Sequence, residues 1–270
     1  MTTFVTGFFD IGRNTDEPHQ KFENYFAWIN SLLSININLY FFTTPQLYSH
    51  FVYTPRSNLI FKFCDPPSLN LLPFIKKTWH KYITNNPAKD TAEFAAMTLG
   101  KFKLVEQAIE DNPFNTGHFG WIDAGLLKIS SQPLLLSNLS KFERIRVMLL
   151  NYISEGEIQD TNFVLQSRYK VAAGLFTGPT LLFQRFIHEI FEIVNYDLEN
   201  RCGLEQEYMA IVYRKFPDLF EPYYGDFQDL IVNHNTYQTN HSFIQRIYQD
   251  ALRHNDEKEA EKVKRYLESI

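Results

Sequence analysis

The sequence predicts an α/β protein built on one mostly parallel sheet with helices on both faces. Three observations carry that expectation. Through the first half, short β-rich segments alternate with stretches of helical periodicity. The earliest β-rich segment, Thr3 to Phe9, begins almost at residue one, as a central strand can. The stretch from His118 to Asp123 ends on an acid two residues before Gly125, the pattern expected where a strand of such a sheet meets a ligand. At 270 residues the chain is long enough for a large core, and no repeat, low-complexity tract or linker divides it.

The elements follow in order. Strand 3–9 leads into the loop Asp10 to Thr15, and Asp16-Glu17-Pro18 is a helix-start signal. Phe22, Tyr25, Phe26, Ile29, Leu32 and Leu33 fall at helical spacing, so 18–33 reads as an amphipathic helix. Strand 37–43 completes a βαβ unit with a right-handed crossover. A short helix near 45–51 and a third strand at 58–64, closed by Asp65-Pro66-Pro67, come next. Helices are expected at 69–84 and 90–111, divided by Asn85-Asn86-Pro87, and the strand 118–123 follows. In the second half, 144–153 and 169–174 read as strands, and Gly178-Pro179-Thr180 opens a helix to about Asn195. Another helix spans 204–214, and Pro222 to Asp226 reads as a turn. Residues 241–270 read as a polar C-terminal helix whose sparse stripe (Phe243, Ile247, Tyr248, Leu252) docks on the body.

Composition narrows the function classes. A net charge of −5 argues against a general nucleic-acid binder, which needs a cationic footprint. Cys64 and Cys202 lie far apart with no C-x-x-C, which excludes a disulfide framework or zinc ribbon and fits a reducing compartment. There is no basic, apolar leader and no run near the ~18 apolar residues of a membrane span, so a soluble, cytoplasmic protein is expected. Neither G-x-G-x-x-G nor G-x-x-x-x-G-K-[ST] is present, so dinucleotide and P-loop chemistry are not expected. The aromatic content, 16%, reads first as a ring-rich core and second as ring-lined pockets.

Several residues are candidates for chemistry. Asp123 is placed to hold a metal or a sugar hydroxyl, or else to cap the following turn. Asp10 and Arg13, after the first strand, suit a nucleotide, with the guanidinium forking onto phosphate. Gly100 inside a helix costs ~1 kcal/mol against alanine, which suggests close packing or a close ligand, with Lys101 free to reach a phosphate. Small residues from Ala172 to Pro179 can shape an acceptor pocket at a strand end. Glu205 and Glu207 open a helix, where the macrodipole favours acids with or without catalysis. His234 is a weak candidate metal ligand.

None of these is specific alone, but their order is. TFVTGFFDIGR at the start, GKFKLVEQAIEDNPF before HFGWIDAG, then AAGLFTGP, LEQEYMAIVYRKFPDLF and PYYGDFQDLIVNH together resemble the HtrL/YibB family of glycosyltransferase-like proteins, over about residues 3–235. The resemblance implies a GT-A type fold over 1–240, with a nucleotide-binding half to about 125 and an acceptor half beyond. It also implies a nucleotide-sugar donor, such as a UDP-sugar, and a glycan or other acceptor. On that reading Thr6, Phe8, Phe9, Asp10, Arg13, Lys101 and Asp123 bind the donor, and Gly174, Thr177 and Glu207 bind the acceptor. Asp123 holds Mn²⁺ or Mg²⁺, and Glu205 is the catalytic carboxylate. The usual Asp-x-Asp is incomplete here, because Gly125 stands where the second acid would be. That keeps two alternatives open: a sugar-nucleotide or glycan-binding protein without catalysis, and a sugar-phosphate nucleotidyltransferase.

Overall fold

A computed structural model describes residues 1–12, 22–67, 69–130, 132–235 and 241–268. Its centre is a seven-stranded mixed sheet of order β3-β2-β1-β4-β6-β5-β7. The strands are β1 Thr3–Gly7, β2 Asn38–Thr43, β3 Leu59–Phe63, β4 His118–Ile122, β5 Ile145–Leu149, β6 Val171–Pro179 and β7 Phe220–Tyr224. β3, β2, β1 and β4 pair in parallel, as the alternation of segments predicts. β6 is antiparallel to both β4 and β5, and β7 is parallel to β5, so β6 is the one strand running against the others. The β5–β6 register slips between Val147 and Met148, a local bulge.

The helices are α1 Phe22–Leu33, α2 Pro45–Tyr48, α3 Leu72–Thr78, α4 Ala92–Asp111, α5 Glu155–Gln159, α6 Thr180–Asp197, α7 Glu205–Lys215, α8 His241–Arg253 and α9 Glu257–Glu268. Side chains alternate across a strand, so successive residues of β1 feed two cores. Val5 joins one with Phe102 of α4, Phe186 of α6 and Met209 of α7. Phe4 joins the other with Ile29, Leu32 and Leu33 of α1. Helices therefore cover both faces, and β1 is interior to the sheet.

Three expectations are corrected. The segment Ala172 to Pro179 is not a strand end, although Ala173 and Gly174 within it do line a cavity. It is the body of β6, paired on both sides. The expected turn at 222–226 begins inside β7, where Pro222 pairs with Val147. Proline survives there because β7 is an edge strand. Residues 241–268 form two packed helices rather than one. Tyr213 donates to Glu259 at 2.8 Å, and Tyr152 and Arg214 both bind Asp256, which ties the pair to the body. The predicted start of the first helix lies outside the described residues.

His234 is structural. Its Nε2 meets the Thr177 hydroxyl at 3.0 Å, its Nδ1 meets Asn235 Oδ1 at 3.2 Å, and its carbonyl accepts Arg146 Nε at 2.9 Å. Burial, with the Arg146 charge adding to it, pushes its pKa down to about 3. A histidine depressed this way folds neutral, so its stabilisation is complete above the unfolded pKa near 6.5. It is lost as the pH falls below that value, because only the unfolded chain then takes up the proton. Chemical unfolding measured from pH 7 to pH 4.5 is expected to show stability falling with acid, with His234 contributing about 1 kcal/mol per pH unit. His234→Gln should flatten the slope by that amount; an unchanged slope would show that His234 is already protonated in the fold.

Candidate functional site

The carboxyl ends of β1 and β4 open into a cavity of about 450 Å³. Cavities of this size accommodate small ligands, and in parallel sheets they form where the strands end. Phe8, Phe9 and Asp10 after β1 line it, with Trp121, Asp123 and Gly125 from β4 and its turn. α4 contributes Phe94 and Lys101, β6 contributes Ala173 and Gly174, and the start of α7 contributes Leu204, Glu205 and Gln206.

Lys101 organises this space. α4 is capped by Thr91, whose hydroxyl accepts Phe94 N, and the helix carries Lys101 under β4 with its side chain only 3% exposed. The ammonium donates to Asp123 Oδ1 at 3.1 Å, to Glu205 Oε1 at 2.9 Å and to the Ala173 carbonyl at 3.1 Å. An ammonium has three donors, so all are used. Burial works against its charge, but the Asp123 and Glu205 carboxylates outweigh burial and hold the Lys101 pKa above its ordinary value. The expectation that Lys101 reaches a phosphate is corrected accordingly: its donors are spent within the protein. Gly100 likewise serves packing, since a Cβ there would lie 2.9 Å from Pro67 Cγ.

Asp123 does not act as a cap. Its Oδ1 accepts Lys101 Nζ and, at 2.6 Å, Trp121 Nε1. The carboxylate rests beside β6, where Asp123 N donates to the Gly174 carbonyl at 2.9 Å. Oδ2 lies against Gly174, where a Cβ would come 3.4 Å from it, an ordinary van der Waals contact. The side chain is 45% exposed against 3% for Lys101. One oxygen is thus pinned and the other is presented to the cavity. Gly125 makes room for a ring: a Cβ there would meet Tyr25 Cε1 at 2.9 Å, and Tyr25 stacks on Phe8 with centroids 5.6 Å apart.

The structure separates the other predicted residues. Phe8, Phe9, Asp10, Lys101, Asp123, Gly174 and Glu205 come together around the cavity, and Thr6, Thr177 and Glu207 do not line it. Thr6 is buried within β1, and Thr177 is buried in β6 against His234. Glu207 is a buried cap: its oxygens accept Leu204 N, Arg168 N and Gln206 Nε2, and burial raises its pKa well above the usual value. Asp10 accepts Gly12 N at 2.8 Å, which shapes the loop after β1. Arg13 lies outside the described residues. Residues that sequence reading missed include Tyr25, Asp90, Ser167, Tyr169 and Gln206. Tyr25 reads from its spacing as part of the core face of α1, and no local motif marks the others.

Among the described residues, no group of three or more His, Cys, Asp or Glu side chains is disposed to hold a metal ion. Asp123 offers one free carboxylate oxygen. That donor set fits a hard cation only where a bound diphosphate supplies most of the ligands, as Mg²⁺ sites commonly allow.

Removing Lys101 tests the electrostatics. Lys101→Met leaves Glu205 buried without its cation and is expected to lose about 3 kcal/mol in urea unfolding. Lys101→Met combined with Glu205→Gln should recover part of that loss. Additive losses would show that the two side chains are not coupled.

Among described residues, no helix is long and apolar enough to cross a membrane. No curated protein matches the chain. Among solved structures, the crystal structure of mouse xyloside xylosyltransferase 1 in its apo form is similar at 12% identity and a TM-score of 0.41, covering 93% of this chain and 92% of that one. The family model HtrL_YibB, described as a bacterial protein of unknown function, matches residues 1–64 and 69–236. With only 65–68 and 237–270 outside that match, the chain belongs to the HtrL_YibB family.

Proposed function

We propose that the cavity binds a nucleotide sugar and that the chain is a glycosyltransferase. The observation that carries this reading is Asp123, with one oxygen fixed by Lys101 and Trp121 and the other turned into a cavity at the carboxyl end of β4. The nucleotide would lie on the side of Phe8, Asp10 and Tyr25, where the stacked rings offer a π face. The half to about residue 125 would then serve the donor, and the half beyond it would serve the acceptor.

Asp123 Oδ2 would hold Mn²⁺ or Mg²⁺ together with diphosphate oxygens. Such a cation supplies charge neutralisation on the leaving diphosphate. The residues of the chain do the rest. Lys101 fixes the direction of Oδ2 and keeps the two carboxylates from repelling each other. Glu205 Oε1 faces Lys101, which leaves Oε2 as the oxygen to receive the acceptor hydroxyl's proton. Apolar surfaces from Leu126, Ile129 and Phe227 line the cavity and exclude water around the acceptor. Tyr169, at φ 48°, sits in the left-handed region that side chains rarely adopt, and its ring meets Phe227 at 6.4 Å.

The lone acid also favours a second reading, a nucleotide-sugar-binding protein without transfer. The two readings part on turnover: slow nucleotide release from a UDP-sugar in the absence of acceptor belongs to the enzyme alone.

Asp123→Asn keeps the carboxylate's shape and removes its charge. Manganese-dependent hydrolysis of UDP-sugars is expected to fall on the order of 100-fold, with thermal unfolding little changed because Lys101 keeps Glu205. Full activity in Asp123→Asn would remove the metal role. Loss of stability without loss of activity in Asp123→Ala would return Asp123 to a purely structural part.

A further inference from the structure

Asp90 precedes α4 and is only 5% exposed, yet it lines the cavity. Its Oδ2 accepts the Thr84 hydroxyl, while its Oδ1 is buried with no partner among the described residues. No ion pair reaches it among those residues. Capping does not explain it, because Thr91 is the cap of α4. A buried acceptor left unpaired is costly, and native structures keep few of them without a reason.

Its surroundings show what it awaits. From Asp123 the contacts run to Lys101 and on to Glu205; the neighbouring Gln206 donates to the Ser167 hydroxyl at 3.2 Å. Asp90, Ser167, Glu205 and Gln206 line the same cavity. Of the acids there, Asp123 and Glu205 share the Lys101 ammonium, while Asp90 has no cation among the described residues. A phosphate brings no donor to an orphan carboxylate oxygen, and two like charges repel. A sugar hydroxyl brings a donor without charge.

We propose that Asp90 Oδ1 accepts a hydroxyl of the sugar carried by the bound nucleotide, and that the transferred sugar is neutral and hydroxyl-bearing. The proposal rests on the nucleotide-sugar reading of the cavity. It adds a sugar-recognising residue separate from Asp123, and a reason for anionic sugars to be disfavoured where Asp90 and Glu205 face the same space.

Isothermal titration of the full chain with UDP, UDP-glucose, UDP-glucuronic acid, GDP, GDP-mannose, dTDP and dTDP-glucose tests it, on wild type, Asp90→Asn and Asp90→Ala. Each neutral nucleotide sugar is compared with its own nucleoside diphosphate. For the nucleotide that binds, the neutral sugar is expected to tighten binding in wild type. Asp90→Ala should erase about tenfold of that gain while the diphosphate alone stays within twofold. Asp90→Asn, whose amide oxygen keeps the Thr84 bond, should lose a smaller part and melt no lower than wild type. Stronger binding of UDP-glucuronic acid than of UDP-glucose would overturn the neutral-sugar assignment. An unchanged sugar gain in Asp90→Asn, with or without a folded Asp90→Ala, would overturn the role of Asp90, as would equal weakening of diphosphate and nucleotide sugar. A wild-type chain that binds none of these ligands would overturn the nucleotide-sugar reading, and this inference with it.

Discussion

Lys101 sits where four elements meet. Its own helix, α4, is joined through one ammonium to the end of β4 at Asp123, to β6 at the Ala173 carbonyl and to the start of α7 at Glu205. A lysine so deeply buried is tolerated only because each proton finds an oxygen and the two carboxylates supply the opposite charge. The dependence is mutual. Without the cation, Glu205 would be an acid in a site that desolvates it, and Asp123 would lose the contact that aims its free oxygen. The geometry of the cavity therefore follows from one side chain whose donors are all spent within the protein.

The reversed strand gives that side chain its setting. A parallel neighbour of β4 would need a crossover connection of a dozen residues or more before pairing. β6 instead runs antiparallel, continues straight into α6, and brings Ala173 and Gly174 level with the end of β4. The Asp123 amide closes on the Gly174 carbonyl, so the acid is fixed by backbone before its side chain makes any contact. The turn ahead of α7 is equally tight, for a Cβ on Gly203 would meet the Val164 carbonyl oxygen at 2.1 Å.

The first half was legible because its signals are local. Apolar strands, helix periodicity and breaks such as Asn85-Asn86-Pro87 are read within a dozen residues, and β1 to β4 fall where they predict. β6 and β7 were misjudged for the same reason. Gly174, Gly178 and Pro179 look like a turn, and Pro222 with Gly225 does too, unless one knows which strands flank them. At the site, Asp123 was visible as an acid closing an apolar strand. The partners of Lys101 were not, because they lie 22 and 104 residues away and no spacing rule reaches that far. Asp90 was hidden by its position: an acid just ahead of a helix looks like capping, and only the structure shows Thr91 doing that work.

The proline that disguised β7 also bears on how the molecule meets copies of itself. An exposed edge strand is a template on which another chain can pair. At Pro222 the backbone has no N–H to offer, and its carbonyl is taken by the Arg146 guanidinium at 3.2 Å. A strand arriving at this edge would find a gap in the ladder at the middle of β7. The residue that reads as a turn in the sequence thus interrupts the ladder at the last strand of the sheet, in a segment whose residues apart from Glu221 are already buried.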